Sequence, residues 1–462
     1  MNETIAAISS GMTKSGIGIV RISGPESRAV AEKIFTTRSG KPIILDQANH
    51  IFYGFIRNVS RETSDEVLVM NMPAPHSYTG EDTVEIDCHG GILMMKRVLE
   101  AVLDAGARMA EPGEFTKRAF LNGRIDLSQA EAVIDVINAR NDNAIRASMG
   151  QLKGNLSEKI REIRKRILNR TAFIEAALDD PEHYSLDGFP EQLDRETEEI
   201  IGEIGTLIRS YGRGKLISEG INTVILGKPN AGKSSLLNAI LGEERAIVTQ
   251  VPGTTRDTIS ESVSVGNITL NLMDTAGIRE TDDLVEEIGV KRAIESADKA
   301  DLILCVTDSS VPTDENDREI FRYVKNHKAK VLFVINKTDL SPSADAGELL
   351  SDIPEELRDT VFISAKTGYG IEGLFERIEA LFSDGGIKHN DEIVISSFRH
   401  EQLLTRAMKS LEAVRTSIAD GMPEDFFTVD LMDAYEALGE ITGEQVSEDL
   451  INEIFSEFCM GK

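Results

Sequence analysis

Tryptophan is absent from this 462-residue chain, aromatic residues make up 5% of it, and the three cysteines are Cys88, Cys305 and Cys459. Three scattered cysteines give neither metal-ligand spacing nor a disulfide framework, so a reducing cytoplasm is the expected compartment. Also missing is any apolar run near the roughly 18 residues that cross a bilayer. The start, Met1-Asn2-Glu3-Thr4, has no basic segment leading into an apolar one. Neither a membrane span nor a targeting leader is expected. Positive charge is scarce as well: 50 Lys and Arg against 78 Asp and Glu leave a net charge of −28. That balance disfavours diffuse binding to nucleic acid, so any RNA contact must be local or supplied by a partner.

Against these absences stands one long motif. Gly227-Lys-Pro-Asn-Ala-Gly-Lys-Ser234 is a complete G-x-x-x-x-G-K-S phosphate loop, preceded by the apolar, β-branched run Asn222 to Leu226 and followed by the helical pattern Ser235 to Leu241. Glycines at 227 and 232 let amides around Asn230, Ala231 and Gly232 turn toward phosphates, Lys233 supplies charge, and the Ser234 hydroxyl, beside Ser235, can bind Mg²⁺.

Later motifs select the nucleotide. Asn336-Lys337-Thr338-Asp339 follows the apolar run Val331 to Ile335, which puts it at a strand's carboxyl end, where open α/β sheets bind ligands. Asp339 can accept two hydrogen bonds from N1–H and the exocyclic amine of guanine, a donor pair adenine lacks, so GTP is expected. Ser364-Ala365-Lys366 follows another apolar run and supplies the loop over the guanine oxygen. Asp274-Thr275-Ala276-Gly277 gives the D-x-x-G in which Asp274 reaches Mg²⁺ through water and the Gly277 amide senses the γ-phosphate. In the loop Thr249-Gln250-Val251-Pro252-Gly253-Thr254-Thr255, Thr255 is the candidate second protein ligand of Mg²⁺.

After the D-x-x-G stands Ile278, where many small GTPases carry a water-orienting Gln. Another group must orient water. Glu286 is a candidate, with Glu280, Asp282, Asp283 and Glu287 in the same acidic stretch; no arginine finger is evident, since Arg256 lies in the first switch but is equally well read as a surface residue. A monovalent cation held by Asn230 and oxygens of the loop Thr249 to Thr254 can supply the missing positive charge.

Length allows about three domains. Residues 1–118 mix short β-rich runs (Thr4 to Ser9, Ile17 to Ile22, Glu66 to Met70, Thr83 to Cys88) with Gly- and Pro-bearing turns, which predicts a small α+β domain. The stretches 119–219 and 385–462 read helical and are expected to pack on each other, with an α/β P-loop GTPase domain, 220–384, inserted between them. Ser128 and Glu131 read as a capping box, and Leu152, Leu156, Ile160, Ile163 and Ile167 keep one helical period up to Pro181. The same helix bears the densest basic cluster, Lys159, Arg161, Arg164, Lys165, Arg166 and Arg170, read as a solvated face balanced by Glu158 and Glu162 or as an RNA footprint.

Several separated signatures add a resemblance. They are Gly-Ile-Val-Arg-Ile-Ser-Gly at 18–24, Tyr-Thr-Gly-Glu-Asp at 78–82, His-Gly-Gly at 89–91 and Glu-Pro-Gly-Glu-Phe-Thr-Lys-Arg-Ala-Phe-Leu-Asn-Gly at 111–123. With the phosphate loop continued to Asn238, Pro-Gly-Thr-Thr-Arg-Asp at 252–257 and the terminal Cys-Met-Gly-Lys, the chain resembles the MnmE (TrmE) family of tRNA-modification GTPases, of the TrmE-Era-EngA-YihA-septin class. The resemblance implies a multidomain fold: an α+β N-terminal folate-binding and dimerisation domain and an all-α central domain carrying the inserted GTPase. It implies a homodimer that works with the flavoprotein MnmG (GidA), as a heterotetramer or larger, on tRNA. The reaction implied is addition of an aminomethyl or carboxymethylaminomethyl group at C5 of wobble uridines, with 5-formyltetrahydrofolate or a related derivative as one-carbon source. Carried over by motif, Arg21, Glu85, Arg124 and Lys462 bind the folate; Asn230, Thr249, Val251 and Thr254 hold K⁺; Glu286 is the catalytic glutamate; and Cys459 serves modification. Members often have Lys at the position of Arg124, which keeps the charge and changes the geometry. A ribosome-assembly GTPase of the Era or EngA type would carry an RNA-binding module in place of the folate signatures. A folate-dependent aminomethyltransferase with a regulatory GTPase would turn over folate without MnmG.

Overall fold

The computed structural model describes residues 3–38, 45, 48–57, 63–242, 248–249, 261–273, 297–340, 353, 359–382, 393–456, 458 and 461. They group into two compact units, Met1–Ile134 with Gln151–Ile204 and Gln402–Lys462, and Asp135–Gly150 with Gly205–Glu401.

In the first unit, alternation of buried and open residues builds a seven-stranded sheet from β1 (Ile5–Ile8), β2 (Ile17–Ser23), β3 (Phe35–Thr36), β4 (His50–Arg57), β5 (Thr63–Met72), β6 (Thr83–His89) and β7 (Arg108–Met109), in the order β3-β4-β5-β6-β2-β1-β7. Every pairing is antiparallel except β1 with β7. Helices α1 (Ser27–Ile34) and α2 (Ile92–Asp104) cover one face, where Val20, Ile22, Val67, Val69, Val84 and Ile86 meet Val30, Ile34, Met95, Val98 and Val102. On the opposite face Leu68 is 42% and Ile17 60% exposed, with Ile51 and Tyr53 between them. Strand β4 is absent from the sequence expectations because Gly54 interrupts its β-forming run. The glycine is required there: a Cβ would lie 2.3 Å from the Thr36 carbonyl on β3.

Next along the chain come α3 (Glu114–Leu121), α4 (Leu127–Asn138), α5 (Asp142–Leu152), α6 (Asn155–Asp179) and α7 (Phe189–Glu219), of which α3 and α6 lie wholly in the first unit and most of α5 in the second. The expected continuous period through Leu152 and Leu156 is broken by Gly154, whose φ of 94° is left-handed and separates α5 from α6. The capping pair also lies elsewhere than Ser128 and Glu131. Asp126 Oδ1 accepts the Gln129 amide at 3.0 Å and Gln129 Oε1 accepts the Asp126 amide at 3.0 Å, while Ser128 is buried against Ser157. Along α6, Leu156, Ile160, Ile163, Ile167 and Ile174 are buried, and the helix packs on Glu424–Thr442. Helical stretches from both sides of residues 220–384 therefore meet, and Arg415 with Asp194 adds an ion pair of 2.7 Å.

Four of the six basic residues of the α6 cluster are paired with carboxylates, mostly those of α7. Arg166 pairs with Glu196, Glu199 and Glu203 of α7, Lys159 with Glu203 and Glu162, Arg170 with Glu196, and the buried Arg164 with Glu444 across the ring of Tyr435.

The second unit carries another seven-stranded sheet: β8 (Ile221–Leu226), β9 (Val248–Thr249), β10 (Glu261–Val265), β11 (Ile268–Leu272), β12 (Leu302–Asp308), β13 (Lys330–Asn336) and β14 (Thr360–Phe362), ordered β14-β13-β12-β8-β11-β10-β9. The pairings from β14 to β11 are parallel, as expected for near-continuous apolar strands buried on both faces, and every residue of β12 is buried. Helices α8 (Lys233–Gly242) and α10 (Ile371–Phe382) lie with the core of one face, and α9 (Glu315–Lys325) with that of the other.

Replacing Asp126 by Ala removes the α4 cap and is expected to lower stability by about 1 kcal/mol. Denaturant midpoints of the two proteins, compared in the transition of the first unit, check this; equal midpoints would show the cap idle.

Candidate functional site

Strand β8 ends at Leu226, and the chain turns through Gly227–Gly232 into α8. Two glycines are demanded by close approach: a Cβ on Gly227 would stand 2.5 Å from the Val306 carbonyl, and one on Gly232, whose φ is 97°, would stand 2.2 Å from Asn336 Nδ2. Asn230 also has positive φ, 61°. Lys233 Nζ donates to the carbonyls of Gly227 and Lys228, each at 2.9 Å, so the ammonium sits inside the loop's curve. Ser234 and Ser235 follow in the first turn of α8, where the dipole of a helix N-terminus favours an anion.

Asn336 joins this loop to the base side. Its carboxamide is 2% exposed, donates to Ala231 O at 3.0 Å and accepts from Ala365 N at 3.0 Å. Ser364 Oγ donates to Asp339 Oδ1 at 2.7 Å, and Thr338 is tied to Ile363 O through both amide and hydroxyl. Thr338, Asp339, Phe362, Ser364, Thr367 and Tyr369 line an open cleft of about 560 Å³. Lys337 Nζ lies 2.7 Å from Asp308 Oδ2. Burial alone would raise the Asp308 carboxyl, but Lys337 and Ser310 outweigh it and hold the pKa below its usual value. Lys366 is exposed at the rim.

Asn230, Ala231, Gly232, Lys233, Ser234, Ser235, Asn336, Lys337, Thr338, Asp339, Ser364, Ala365 and Lys366 are thus brought to the carboxyl ends of β8 and β13 and the loop after β14. Thr249 is described by its backbone, pairing with Ser262. Gln250, Val251, Pro252, Gly253, Thr254, Thr255, Asp274, Thr275, Ala276, Gly277, Glu286, Cys459 and Lys462 lie outside the described residues.

A second cluster occupies the first unit. Arg21 on β2 stands opposite Glu85 on β6, with Nε 2.7 Å from Oε1. Its guanidinium lies 4.9 Å from the Tyr78 ring centre and 5.6 Å from that of Phe115; Arg124 approaches Tyr78 from 5.1 Å. Arg21 Nη1 also reaches Gly461 O at 3.5 Å, next to the terminal lysine. Behind Tyr78, Arg118 is 1% exposed and donates to Glu3 O, Glu81 and Glu114 at 2.9, 3.0 and 2.9 Å. Tyr78, Phe115 and Arg118 were not expected as site residues, although all three fall inside the motifs Tyr-Thr-Gly-Glu-Asp and Glu-Pro-Gly-Glu-Phe-Thr-Lys-Arg. An arginine and an aromatic within one short motif were the available signal.

Comparison with known proteins decides the family. Residues 127–459 match the model described as MnmE helical domain, and residues 4–124 that described as GTP-binding protein TrmE N-terminus. The tRNA modification GTPase MnmE of Lachnoclostridium phytofermentans is 55% identical over 100% of this chain and 99% of its own length; that of Clostridioides difficile is 46% identical over 100% of both. The chain belongs to the MnmE family of tRNA-modification GTPases. Among solved structures, Aquifex aeolicus Era is 30% identical over 41% of this chain and 66% of its own, with a TM-score of 0.28.

Membership in the MnmE family makes the chain a GTP hydrolase. Its residues fit the nucleotide: the loop's Cβ-free positions, the inward Lys233 and the α8 terminus suit phosphates, and Asp339 with the cleft beside it suits a purine carrying two adjacent donors. Cys88 and Cys305 are both buried. Burial pushes the Cys88 thiol up to about 11 and raises that of Cys305 further, so neither serves as a thiolate near neutral pH. Among the described residues no helix is long and apolar enough to cross a membrane.

Burial by itself would raise Glu114, but Arg108, the Glu111 amide and Arg118 overcome it and hold the carboxyl at about 2 instead of 4.5. A depressed acid stabilises above its unfolded value and loses that contribution as pH falls from about 4.5 toward 2. Glu114→Gln is therefore expected to lower the denaturant midpoint at pH 7 and to close on wild type as the solution is acidified. A gap unchanged between pH 7 and pH 3 would refute the assignment.

Proposed function

We propose that this GTPase acts as a homodimer, in the cytoplasm, with the flavoprotein MnmG to install an aminomethyl or carboxymethylaminomethyl group at C5 of wobble uridines in tRNA, drawing the carbon from 5-formyltetrahydrofolate or a related derivative. The observation that carries the reading is the joint presence of the phosphate loop and the Arg21–Glu85–Tyr78–Arg124 cluster in a chain of this family. A pterin is a flat, hydrogen-bonding ring with an anionic tail, and a carboxylate beside two arginines and an aromatic ring matches that chemistry. Arg21 Nη1 donates to the Gly461 carbonyl at 3.5 Å, and Gly461 precedes Lys462 in sequence, which supports the assignment of that lysine to the cluster. The bound folate supplies the one-carbon unit; Arg21, Glu85, Arg124 and Lys462 orient it. The apolar sheet face at Ile17, Ile51, Tyr53 and Leu68 supports pairing with a second copy.

In this reading Ser234 and Thr255, supported by Asp274, would hold Mg²⁺, which would neutralise phosphate charge, and Glu286 would orient the attacking water that Ile278 cannot. Asn230, Thr249, Val251 and Thr254 hold K⁺ in place of an arginine finger, completing the site as two GTPase domains close on each other. The Asn230 backbone, with φ of 61°, turns out of the regular helical and extended regions at the loop position assigned to this cation.

Cys459 is the thiol left for chemistry after burial removes Cys88 and Cys305. In a reconstituted assay with tRNA, MnmG and a folate donor, modification is expected to require both proteins, and Cys459→Ser to abolish it while GTP hydrolysis stays near normal. Modification without MnmG would favour a self-sufficient aminomethyltransferase; retained modification in the Ser variant would make the cysteine structural.

Hydrolysis is expected to be about 100-fold or more faster in K⁺ than in Na⁺ at equal ionic strength, the range electrostatic stabilisation supplies. Asn230→Ala should lose the preference. Equal rates in the two salts would remove the cation from the mechanism.

A further inference from the structure

Lys228 occupies an unspecified position of the phosphate-loop pattern, yet it is 9% exposed. Its ammonium lies 2.6 Å from Asp317 Oδ2 and 3.0 Å from Asp314 Oδ2. These carboxylates form the capping box of α9: Asp314 Oδ1 accepts the Asp317 amide at 3.1 Å and Asp317 Oδ2 accepts the Asp314 amide at 3.2 Å. Burial disfavours the ammonium, but the two carboxylates outweigh it and raise the Lys228 pKa, so the side chain is charged throughout the neutral range. The main chain of the same residue is engaged on the opposite side. Its carbonyl accepts from Lys233 Nζ at 2.9 Å and from the Ala231 amide at 3.3 Å, and the preceding Gly227 sits hard against Val306.

We propose that Lys228 is a positioning residue for GTP, clamping the first turn of the phosphate loop to the N-terminus of α9. An anion cradle works only when its amides already point inward, because every loop residue ordered on binding subtracts from affinity. Gly227 and Lys228 form the fixed end of this loop, and the charged clamp holds that end while Lys233 leaves their carbonyls for the phosphates. The inference rests on the reading of residues 227–234 as the triphosphate loop. It assigns Lys228 no contact with the nucleotide.

The test is titration of the full-length protein with fluorescent GTP and GDP analogues, alongside steady-state hydrolysis and a melting curve. Lys228→Met fills a similar volume without charge and is expected to weaken both nucleotides about tenfold, leaving kcat at saturation within about twofold. Lys228→Arg, which can bond both carboxylates, should bind within about threefold of wild type. Asp317→Asn should weaken binding as the Met change does, and the double variant should be no weaker than the weaker single. A Met variant that binds as wild type overturns the clamp, as does an Arg variant as weak as Met. Since Met strands two carboxylates, the double variant guards against misfolding: a double that melts and binds as wild type also overturns the clamp. Wild-type protein that binds no GTP would overturn the reading of the loop itself.

Discussion

The carboxamide of Asn336 bonds Ala231 O on one side and Ala365 N on the other, so the loops expected to hold the phosphates and the base are joined through one buried group. A buried amide with both ends satisfied stabilises modestly, but one left half-satisfied is costly, so each loop fixes the position of the other. Much around it follows from this constraint. Gly232 can carry no Cβ because the amide occupies that space, and the left-handed backbone at Gly232 and Lys337 brings the two turns within reach. These two loops are thus held by the protein interior before any ligand meets them.

The first unit solves a similar problem with charge. Arg118 enters the interior because three acceptors, the Glu3 carbonyl and the carboxylates of Glu81 and Glu114, meet it there. Removing a partner from so buried a guanidinium leaves an uncompensated charge, which ties α3, the Tyr78–Asp82 loop and the chain start into one unit. Tyr78 is held from behind by Thr116 at 2.9 Å and presents its ring to Arg21 and Arg124. The ring that Arg21 and Arg124 approach is thus braced by the helix that Arg118 anchors.

What could be read in the sequence was what local rules decide. The phosphate loop, Asn336 to Asp339 and Ser364 to Lys366 were legible because backbone-close glycines and strand-end motifs have fixed spacing, and the buried parallel strands were legible because both faces are apolar. Strand β4 escaped because Gly54 looks like a strand breaker until Thr36 is seen against it. The α4 cap was displaced by two residues: Ser128 turned inward to Ser157, a contact 29 positions away that local pattern cannot show, and Asp126 took the capping role. Lys228 was passed over because its pattern position is unspecified and its partners lie 86 and 89 residues downstream. Tertiary partners, not local propensity, decide these cases.

Charge carries the last step. The densest basic run of the chain lies on α6, and in a protein of net charge −28 it was the natural place to look for an RNA footprint. In the folded unit Lys159, Arg164, Arg166 and Arg170 each meet carboxylates from α6 itself, α7 or Glu444. A phosphate backbone gains affinity from lysines and arginines by releasing its counterions, and a guanidinium already held by protein carboxylates has little left to offer that exchange. Binding tRNA on this face would require breaking ion pairs that are partly desolvated and hydrogen-bonded. Those four side chains act as glue between helical segments, while Arg161 and Lys165 of the same cluster are exposed. In a chain of net charge −28, attraction of a polyanion then falls to basic residues other than these four.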